Sequence, residues 1–270
     1  MSDLERAAAF EELIRDRCVE RVVETRFGPA LFNDTYSTIW FLNVLRAERP
    51  GEATAEEIAA EADRVQAELG HRRVILPPDA TDLEDGFRRL GWKPDHFLFM
   101  VYRGGGEPAD TARVEEVEPG RLRRLREEII REWQPDADEK TVSEMNAADM
   151  LQLKAANSRV FGIVEDGEVV SSAQLYSNEG TAQVEDVATL PAYRGRGHSK
   201  ALVTRAVEEA VAGNHEFIFL VADGDEWPKK LYPLDFTMDA ALTRIEKHGD
   251  LFEPVLNGKQ SIGKALDKLR

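Results

Sequence analysis

The chain has 270 residues, of which 42% are hydrophobic and 32% are charged, a globular composition rather than a disordered one. Its net charge of −16 excludes a general attraction for nucleic acid or anionic lipid. One cysteine, Cys18, excludes an internal disulfide and a multi-cysteine zinc site, and no apolar run reaches the roughly 18 residues of a spanning helix. With a charged start and no signal-type stretch behind it, we expect a soluble cytoplasmic protein without nucleic-acid or membrane partners.

The first half predicts helices and strands that end at a glycine-rich segment. Thr54, with Glu57 three residues later and Gly70 beyond, marks a capped helix. Predicted helices cover residues 3–17, Thr54–Leu69 and Thr81–Leu90, and predicted strands cover Val19–Arg26, Ile39–Leu45, His71–Leu76 and His96–Tyr102. Because Gly104-Gly105-Gly106 and the nearby Pro108 do not suit the interior of an element, we interpret residues 104–110 as a linker.

The second half predicts another α+β unit. Its Asp166-Gly167 pair favours a tight hairpin turn between two strands. Predicted strands cover Ala112–Val117, Arg159–Val164, Val169–Tyr176, Thr181–Leu190, Glu216–Ala222 and Met238–Glu246. Predicted helices cover Arg121–Trp133, Glu139–Ala155, His198–Ala212 and Pro228–Leu234, with a weak one at Ile262–Leu269.

The two halves share an order of elements. Residues 39–102 and residues 181–246 both read as strand, loop, helix, strand, short helix and apolar strand. This weak similarity at a long period favours a duplication over two unrelated α+β domains with a common order. We therefore expect domains at residues 1–103 and 111–250, a linker at 104–110 and a tail at 251–270.

The segment Val184–Ala206 carries the chemical signal. A strand passes into a turn that contains Arg194-Gly195-Arg196-Gly197, and a helix starts directly afterwards. Glycines let backbone N–H groups approach a ligand, and the first N–H groups of a helix lack internal partners and favour anions. With Lys200, three cations lie within seven residues of an otherwise acidic chain, which predicts a polyphosphate site.

Three common motifs do not fit this turn. A nucleoside-triphosphate loop needs Gly-Lys-Ser/Thr, which is absent, and a dinucleotide fingerprint needs a third glycine where Lys200 stands. The string Gly197-His198-Ser199-Lys200-Ala201 comes close to the G-x-S-x-G elbow of hydrolases, but the preceding strand ends near Leu190, too early for that geometry.

The remaining pattern is Gln/Arg-x-x-Gly-x-Gly/Ala, with Arg194, Gly197 and Ser199 at its defined positions. Here, and in the wider string V-x-T-x-P-x-Y-R-G-R-G, the sequence resembles the GNAT acetyltransferase superfamily. The resemblance is specific over residues 181–236 and topological over the rest of the second half. Ser199 departs from the pattern, since the family has Gly or Ala there.

The resemblance implies an α+β fold with two GNAT-like mixed-sheet domains in tandem and helices on both faces. It places acetyl-CoA between two splayed strands, its diphosphate on Arg194–Lys200 and its pantetheine arm beside Val187–Thr189. The N–H of Val187 or Ala188 polarises the thioester, which an amine attacks directly. The implied cofactor-binding residues are Val187, Ala188, Thr189, Arg194, Gly195, Arg196, Gly197, His198, Ser199 and Lys200.

Two proton-transfer roles follow from the same resemblance. Tyr232 matches the tyrosine that protonates the departing thiolate, and Glu185 is the candidate base for the amine. Strand alternation puts Asp186 on the opposite face, and Asp186 or bulk water are the alternatives to Glu185. Asp225 stands where relatives carry a cofactor-contacting asparagine, and its charge opposes a phosphate.

The first half lacks this chemistry. Its counterpart turn, Arg46–Ala53, has one glycine, two acids and Pro50, and no R-x-x-G-x-G. We interpret it as a degenerate half that completes a sheet or walls the acceptor site. The charge run Arg121–Arg126 with Glu127-Glu128 predicts a solvated helix face, and Trp133 either lines an acceptor pocket or packs in the core.

The sequence therefore predicts an acetyl-CoA-dependent N-acetyltransferase, active through its second half on a small-molecule or peptide amine. The alternatives are a non-catalytic acyl-CoA-binding sensor or scaffold, and a hydrolase that uses Ser199. The five histidines show no metal-ligand spacing, so no metal is expected. The identity of the amine and the oligomeric state stay open.

Overall fold

The structure, a computed structural model, describes residues 1–77, 80–223 and 234–248, with backbone alone for Asp223 and for 234–248. The α-helices are α1 (Asp3–Asp16), α2 (Ala55–Val65), α3 (Glu84–Arg89), α4 (Arg123–Trp133), α5 (Glu139–Ala155) and α6 (His198–Ala212). The strands are β1 (Arg21–Glu24), β2 (Pro29–Phe32), β3 (Val44–Arg46), β4 (His71–Ile75), β5 (Lys93–Gly106), β6 (Val114–Glu116), β7 (Arg159–Glu165), β8 (Glu168–Asn178), β9 (Thr181–Thr189), β10 (Phe217–Asp223) and β11 (Leu234–His248).

The described strands form one mixed sheet in the order β1-β2-β3-β4-β11-β5-β10-β9-β8-β7-β6. Two neighbouring pairs, β3–β4 and β9–β10, are parallel, and the other pairs are antiparallel. The two strands of each parallel pair are connected in the chain by a crossover helix, α2 between β3 and β4 and α6 between β9 and β10. The predicted α+β fold class with mixed strands in each half is confirmed.

The two halves share strands across the middle of the sheet. β5 of the first half pairs with β10 of the second, with Phe99 opposite Val221. β11 of the second half lies between β4 and β5 of the first. The apolar centre of β5, Leu98–Val101, is buried in the main core together with β10. The halves are therefore joined by backbone pairing and not only by a connecting segment.

The glycine-rich segment differs from the prediction. β5 continues through Gly104, Gly105 and Gly106, at φ of 81°, 98° and 84°, instead of ending before them. β11 accompanies it as far as Leu234, opposite Gly106. Glycine tolerates these positive φ values at little cost, so a strand of unusual geometry forms where sequence reasoning placed the start of a linker.

Helices cover both faces of the sheet. The inner strand β8 is buried from Val169 to Tyr176, which requires cover on both sides. α6 packs against β8 and β9, and α4 also contacts β8. α1 of the first half packs onto the second half, with the Phe10 ring edge-on to Phe219 of β10 at a centroid distance of 5.6 Å.

The stretch Ile39–Leu45 is not the predicted strand. Trp40–Leu42 form a 3-10 turn, and only β3 remains extended. The buried Asn43 amide donates to the backbone oxygens of Tyr36 and Ile39 and accepts from Asn33 N, so a side chain takes over the local backbone bonding. β2, directly after Gly28, was missed because Gly-Pro indicated a turn there.

Two predicted elements lie outside the described residues: all but the last residue of the short helix at 228–234, and the tail helix at 262–269. Leu234 instead begins β11. Across the residues that the structure describes, no helix combines the length and the apolar character needed to cross a lipid bilayer.

Candidate active site

A gap opens in the sheet between β9 and β10. The two parallel strands pair from Thr181 with Phe217 to Val184 with Leu220, and the pairing then stops. Beyond that point β9 follows β8 to Thr189, whereas β10 follows β5 to Asp223. Splayed strands of this kind leave backbone edges available to an extended ligand.

A β-bulge interrupts β9 at the gap. Gln174 of β8 lies opposite Glu185, but Ser172 lies opposite Ala188, so the register shifts between them. Asp186, at a φ of 47°, and Val187 have no partner in the described register. A bulge leaves its extra residue outside the ladder and redirects side chains. The residues that the resemblance assigns to the thioester therefore lie at an irregular, half-buried part of the strand.

The turn after β9 presents a run of unused backbone donors. Gly195 and Gly197 adopt φ of 76° and 78°, and Gly197 caps α6 without a side-chain acceptor. No described residue accepts a hydrogen bond from the N–H groups of Gly195–Lys200, and a Cβ at either glycine would meet no described atom within 4 Å. Uncommitted amides at a helix start form an anion site.

The arginines of the turn are already engaged. Arg194 donates to the Thr189 carbonyl at 3.0 Å and forms a bidentate ion pair with Glu132 of α4. Arg196 donates to the Ala192 carbonyl at 3.1 Å and lies 3.3 Å from Glu165. Both guanidinium groups bind other parts of the protein and stabilise the turn. The donors available to an anion are therefore the backbone amides and the exposed Lys200.

Ser199 and His198 have structural surroundings. The Ser199 hydroxyl lies 3.2 Å from the Thr189 hydroxyl, which is 2.6 Å from that of Ser171 on β8. A serine bonded to a threonine, rather than to a base, does not support a hydrolase nucleophile. The His198 ring is 4% exposed, and burial together with Arg113 and Arg196 lowers its pKa. His198 can therefore reach a phosphate through its backbone N–H but not through its ring.

A cavity of about 220 Å³ adjoins Glu185 and is built by both halves of the chain. Its lining residues are Glu11, Ile14, Arg15, Phe41, Asp149, Gln152, Gln174, Tyr176, Gln183, Glu185 and Asp186. Among these described residues, four are carboxylates and Arg15 is the one cation. The cavity is therefore suited to a cationic guest.

Asp186 lies on the same side of the sheet as Glu185, so the prediction of opposite faces is wrong. The bulge breaks the alternation, and both side chains line the cavity. Gln183 Nε2 donates to Glu185 at 2.6 Å, and Gln174 Nε2 donates to Asp186 at 2.5 Å. Two glutamines thus hold the two carboxylates beside the gap.

A buried arginine stands behind these acids. Arg126 of α4 is 5% exposed, so the prediction of a solvated face is wrong at this residue. Its Nε lies 3.7 Å from Asp149 Oδ2, and its Nη2 lies 3.9 Å from Asp186 Oδ2. Burial, and then the Asp186 charge, raise the pKa of Asp149 to about 7, while Arg126 lowers it. Burial likewise raises the pKa of Asp186.

Sequence reasoning missed Asp149, Gln174 and Arg126, because α5, β8 and α4 carry them and no local motif marks them. Trp133 is 51% exposed, so it does not pack in the core, and its role in an acceptor pocket stays a prediction. Tyr232, the predicted acid, and Asp225 lie outside the described residues. The predicted cofactor-binding residues from Val187 to Lys200 do lie together, along one edge of the gap and the turn that ends it.

Solved structures share this fold. A GCN5-related N-acetyltransferase from Kribbella flavida is 19% identical, with 90% of this chain and 95% of that chain covered at a TM-score of 0.59. A functionally unknown conserved protein from Staphylococcus epidermidis is 11% identical, with 86% and 94% covered at 0.58. A tandem GNAT protein from the clavulanic acid biosynthesis pathway is 12% identical, with 75% and 74% covered at 0.51. A search of curated proteins found no match.

The family comparison falls on the half that carries the gap. The model of the acetyltransferase (GNAT) family matches residues 122–236. That range includes α4, α5, both strands of the gap, the glycine turn and α6. Residues 122–236 therefore resemble a GNAT acetyltransferase domain, and the match implies acyltransferase chemistry in general.

Proposed function

We propose that the chain is an acetyl-CoA-dependent N-acetyltransferase whose cofactor diphosphate binds the turn between β9 and α6. The observation that carries this proposal is the run of uncommitted N–H groups at Gly195–Lys200, placed at the end of an open gap. Such donors stabilise a diphosphate without a cluster of free lysines, which suits an acidic chain. The exposed Lys200 adds one positive charge beside them.

The pantetheine arm then follows the exposed edge of β9. Val187–Thr189 line the gap where β10 has turned away, so their backbone can pair with an extended arm as a strand would. The bulge leaves Val187 outside the β8 ladder. Its N–H, or that of Ala188, is the donor proposed for the thioester oxygen as charge develops there.

The acceptor amine binds in the acidic cavity beside Glu185. Its carboxylates attract a protonated amine, and α1 and Phe41 of the first half form one wall. The first half then acts as a structural part of the acceptor site, as its degenerate turn suggests. The amine loses a proton, attacks the thioester carbon directly, and the CoA thiolate leaves with a proton gained from Tyr232.

The test is a titration with acetyl-CoA followed by a thiol-release assay against primary amines. The panel contains monoamines, diamines, spermidine, amino-acid amides and short peptides. We expect binding at one site per chain and turnover with at least one cationic amine. Binding without any turnover would favour the sensor, and no binding would contradict the proposal altogether.

A single substitution tests the proposed acid. Tyr232→Phe removes the phenolic proton and should lower kcat by roughly 10²-fold while leaving the acetyl-CoA Kd almost unchanged. Pre-steady-state thiol release and calorimetry measure the two quantities separately. An equal loss in both would contradict the acid role.

A further inference from the structure

Of the four carboxylates that line the cavity, Asp149, Glu185 and Asp186 differ in their hydrogen bonds. Glu185 and Asp186 each accept a short hydrogen bond from a glutamine amide. Asp149 of α5 accepts none from the described residues and has only a charge contact, 3.7 Å from Arg126 Nε. Of the three, Asp149 has the lone pairs that are most available to a guest.

Two buried polar groups around Asp149 lack hydrogen-bond partners among the described residues. Arg126 Nε and Nη2 are unpartnered, although they lie between Asp149 and Asp186 at ion-pair distances. Gln174 is 1% exposed, and its Oε1 is unpartnered while its Nε2 is bonded to Asp186. Gln174 also lines the cavity. Its Oε1 is therefore a buried acceptor beside the cavity that receives no hydrogen bond from the described residues. A guest that brings N–H donors would satisfy it.

We propose that Asp149 is the catalytic residue that takes the proton from the acceptor amine, with Gln174 Oε1 receiving a second N–H of the same nitrogen. This inference rests on the proposed acetyltransferase function. Arg126 is a positioning residue, because it lies at ion-pair distance from both Asp149 and Asp186 and does not itself line the cavity. Glu185, held by Gln183, supplies charge that attracts the ammonium group.

The proton balance is simple. One N–H bond of the ammonium breaks and an O–H bond forms on Asp149, which leaves a neutral amine. The nitrogen lone pair forms the C–N bond and the C–S bond breaks. The CoA thiolate takes a proton from Tyr232, and the second proton of the nitrogen replaces it on Tyr232, so the products are an amide and a thiol. Asp149 then returns its proton to water.

The surroundings match Asp149 to this role. The groups that face the cluster are Glu11 and Arg15 from α1, Arg126 from α4, Tyr176 from β8, and Glu185 and Asp186 from β9. Burial, the largest cause, and the Asp186 charge raise the pKa of Asp149 to about 7, while Arg126 lowers it. A base with a pKa near the working pH combines sufficient ionisation with sufficient proton affinity.

The experiment compares pH profiles of kcat/KM for the full chain, with acetyl-CoA and the most active amine of the panel. Asp149→Asn should lower kcat/KM by roughly 10²-fold or more and remove the acidic limb near pH 7, with the acetyl-CoA Kd unchanged. Glu139→Gln is the matched control, since Glu139 lies on the same helix with its side chain 86% exposed. It should leave the profile as in the wild type.

A second variant separates chemistry from folding. Arg126→Gln removes the cation that favours ionised Asp149, so the acidic limb should move to higher pH while the plateau persists. In the wild type, ¹³C carboxyl resonances should show an aspartate that titrates near pH 7 and is lost in Asp149→Asn. Turnover with an unaltered limb in Asp149→Asn would overturn this inference alone. Acetyl-CoA binding without turnover of any amine would overturn the proposed function with it.

Discussion

The described residues contain two parallel strand pairs, each connected by a crossover helix, and only one of these pairs opens. In the first half β3 ends at Arg46, which is still paired with Ile75 of β4, and Ala47 N donates to the Ile75 carbonyl at 2.9 Å. In the second half β9 continues to Thr189 after its last pair with β10 at Val184. The first junction is closed by backbone pairing, and the second is a gap.

The N-termini of α2 and α6 also differ: the first is capped and the second is open. Thr54 caps α2 and accepts from Glu57 N, while the Glu57 side chain accepts from Thr54 N. Acids occupy the first turn of α2, whereas α6 has none there and starts from a glycine without a side-chain cap. A satisfied helix start has little to offer an anion, and an unsatisfied one attracts it.

The charges complete the contrast. Arg46 at the first junction pairs with Asp16 of α1 at 3.0 Å and with Glu48 at 2.7 Å, and so joins helix and turn internally. At the second junction Gly195–Lys200 keep their amides uncommitted among the described residues. One order of elements thus gives a closed junction in one half and, in the other, the open junction at which we propose a ligand site.

The largest expected effect comes from Gly197→Glu. The residue has a φ of 78°, and the new carboxylate would stand where the diphosphate is proposed to bind. Repulsion and backbone strain of about 1–3 kcal/mol should weaken acetyl-CoA binding by more than about 100-fold in calorimetry. Gly51→Glu is the matched control, at a φ of 56° in the first junction. Its acetyl-CoA Kd should equal that of the wild type, and an equal loss in both variants would break the comparison.

A smaller effect is expected for the arginines. Arg196→Ala removes a cation and a brace of the open turn, and should weaken acetyl-CoA binding by about tenfold. Arg46→Ala should leave the Kd unchanged and lower the free energy of unfolding by about 1–2 kcal/mol, because it removes ties to α1. Calorimetry and urea unfolding measure the two effects. A weaker Kd in Arg46→Ala would show that the first junction also contributes to binding.

Asp149 in the second half should lower the free energy of unfolding by an amount that depends on pH. The raised pKa of Asp149 means that the folded state keeps a proton that the unfolded state has lost between about pH 4 and pH 7. Stability from this group therefore falls as pH rises through that window. The Tm of Asp149→Asn minus that of the wild type should be larger at pH 8 than at pH 5. Each kcal/mol of unfolding free energy corresponds to about 2–4 °C. A Tm difference that is equal at both pH values would contradict the assignment.

The smallest effect is expected for Ser199→Ala. The hydroxyl bonds to Thr189 rather than to a base, and alanine is the residue that the family pattern allows. The acetyl-CoA Kd should change by less than about twofold, and a fluorophosphonate probe should not label Ser199 in the wild type. Labelling at that serine would revive the hydrolase alternative.

Local signals were sufficient for part of this picture. The capping box at Thr54 predicted α2, and Gly197 followed by an amphipathic stretch predicted α6 from His198 to Ala212. The glycine turn and its open backbone donors could also be predicted, because these donors depend on little else, and the anion site itself stays a prediction. These features rest on interactions within a few residues of sequence.

Long-range features could not be read. The exchange of β5 and β11 between the halves depends on pairing across more than a hundred residues. The sequence of an apolar strand does not indicate which strand it will pair with. The bulge that turns Asp186 toward Glu185 has no glycine to mark it. Asp149 and Arg126 come together only when α4 and α5 pack over β8 and β9, so their sequences resemble ordinary exposed helix faces.

We propose above all that the turn between β9 and α6 binds the diphosphate of CoA and that the turn between β3 and α2 does not. A crystal structure with bound CoA tests this most directly. We expect diphosphate density within hydrogen-bond distance of the backbone N–H groups of Gly195–Lys200 and none at residues 47–54. Density at the first junction, or a CoA that leaves the amides of Gly195–Lys200 without contact, would contradict it.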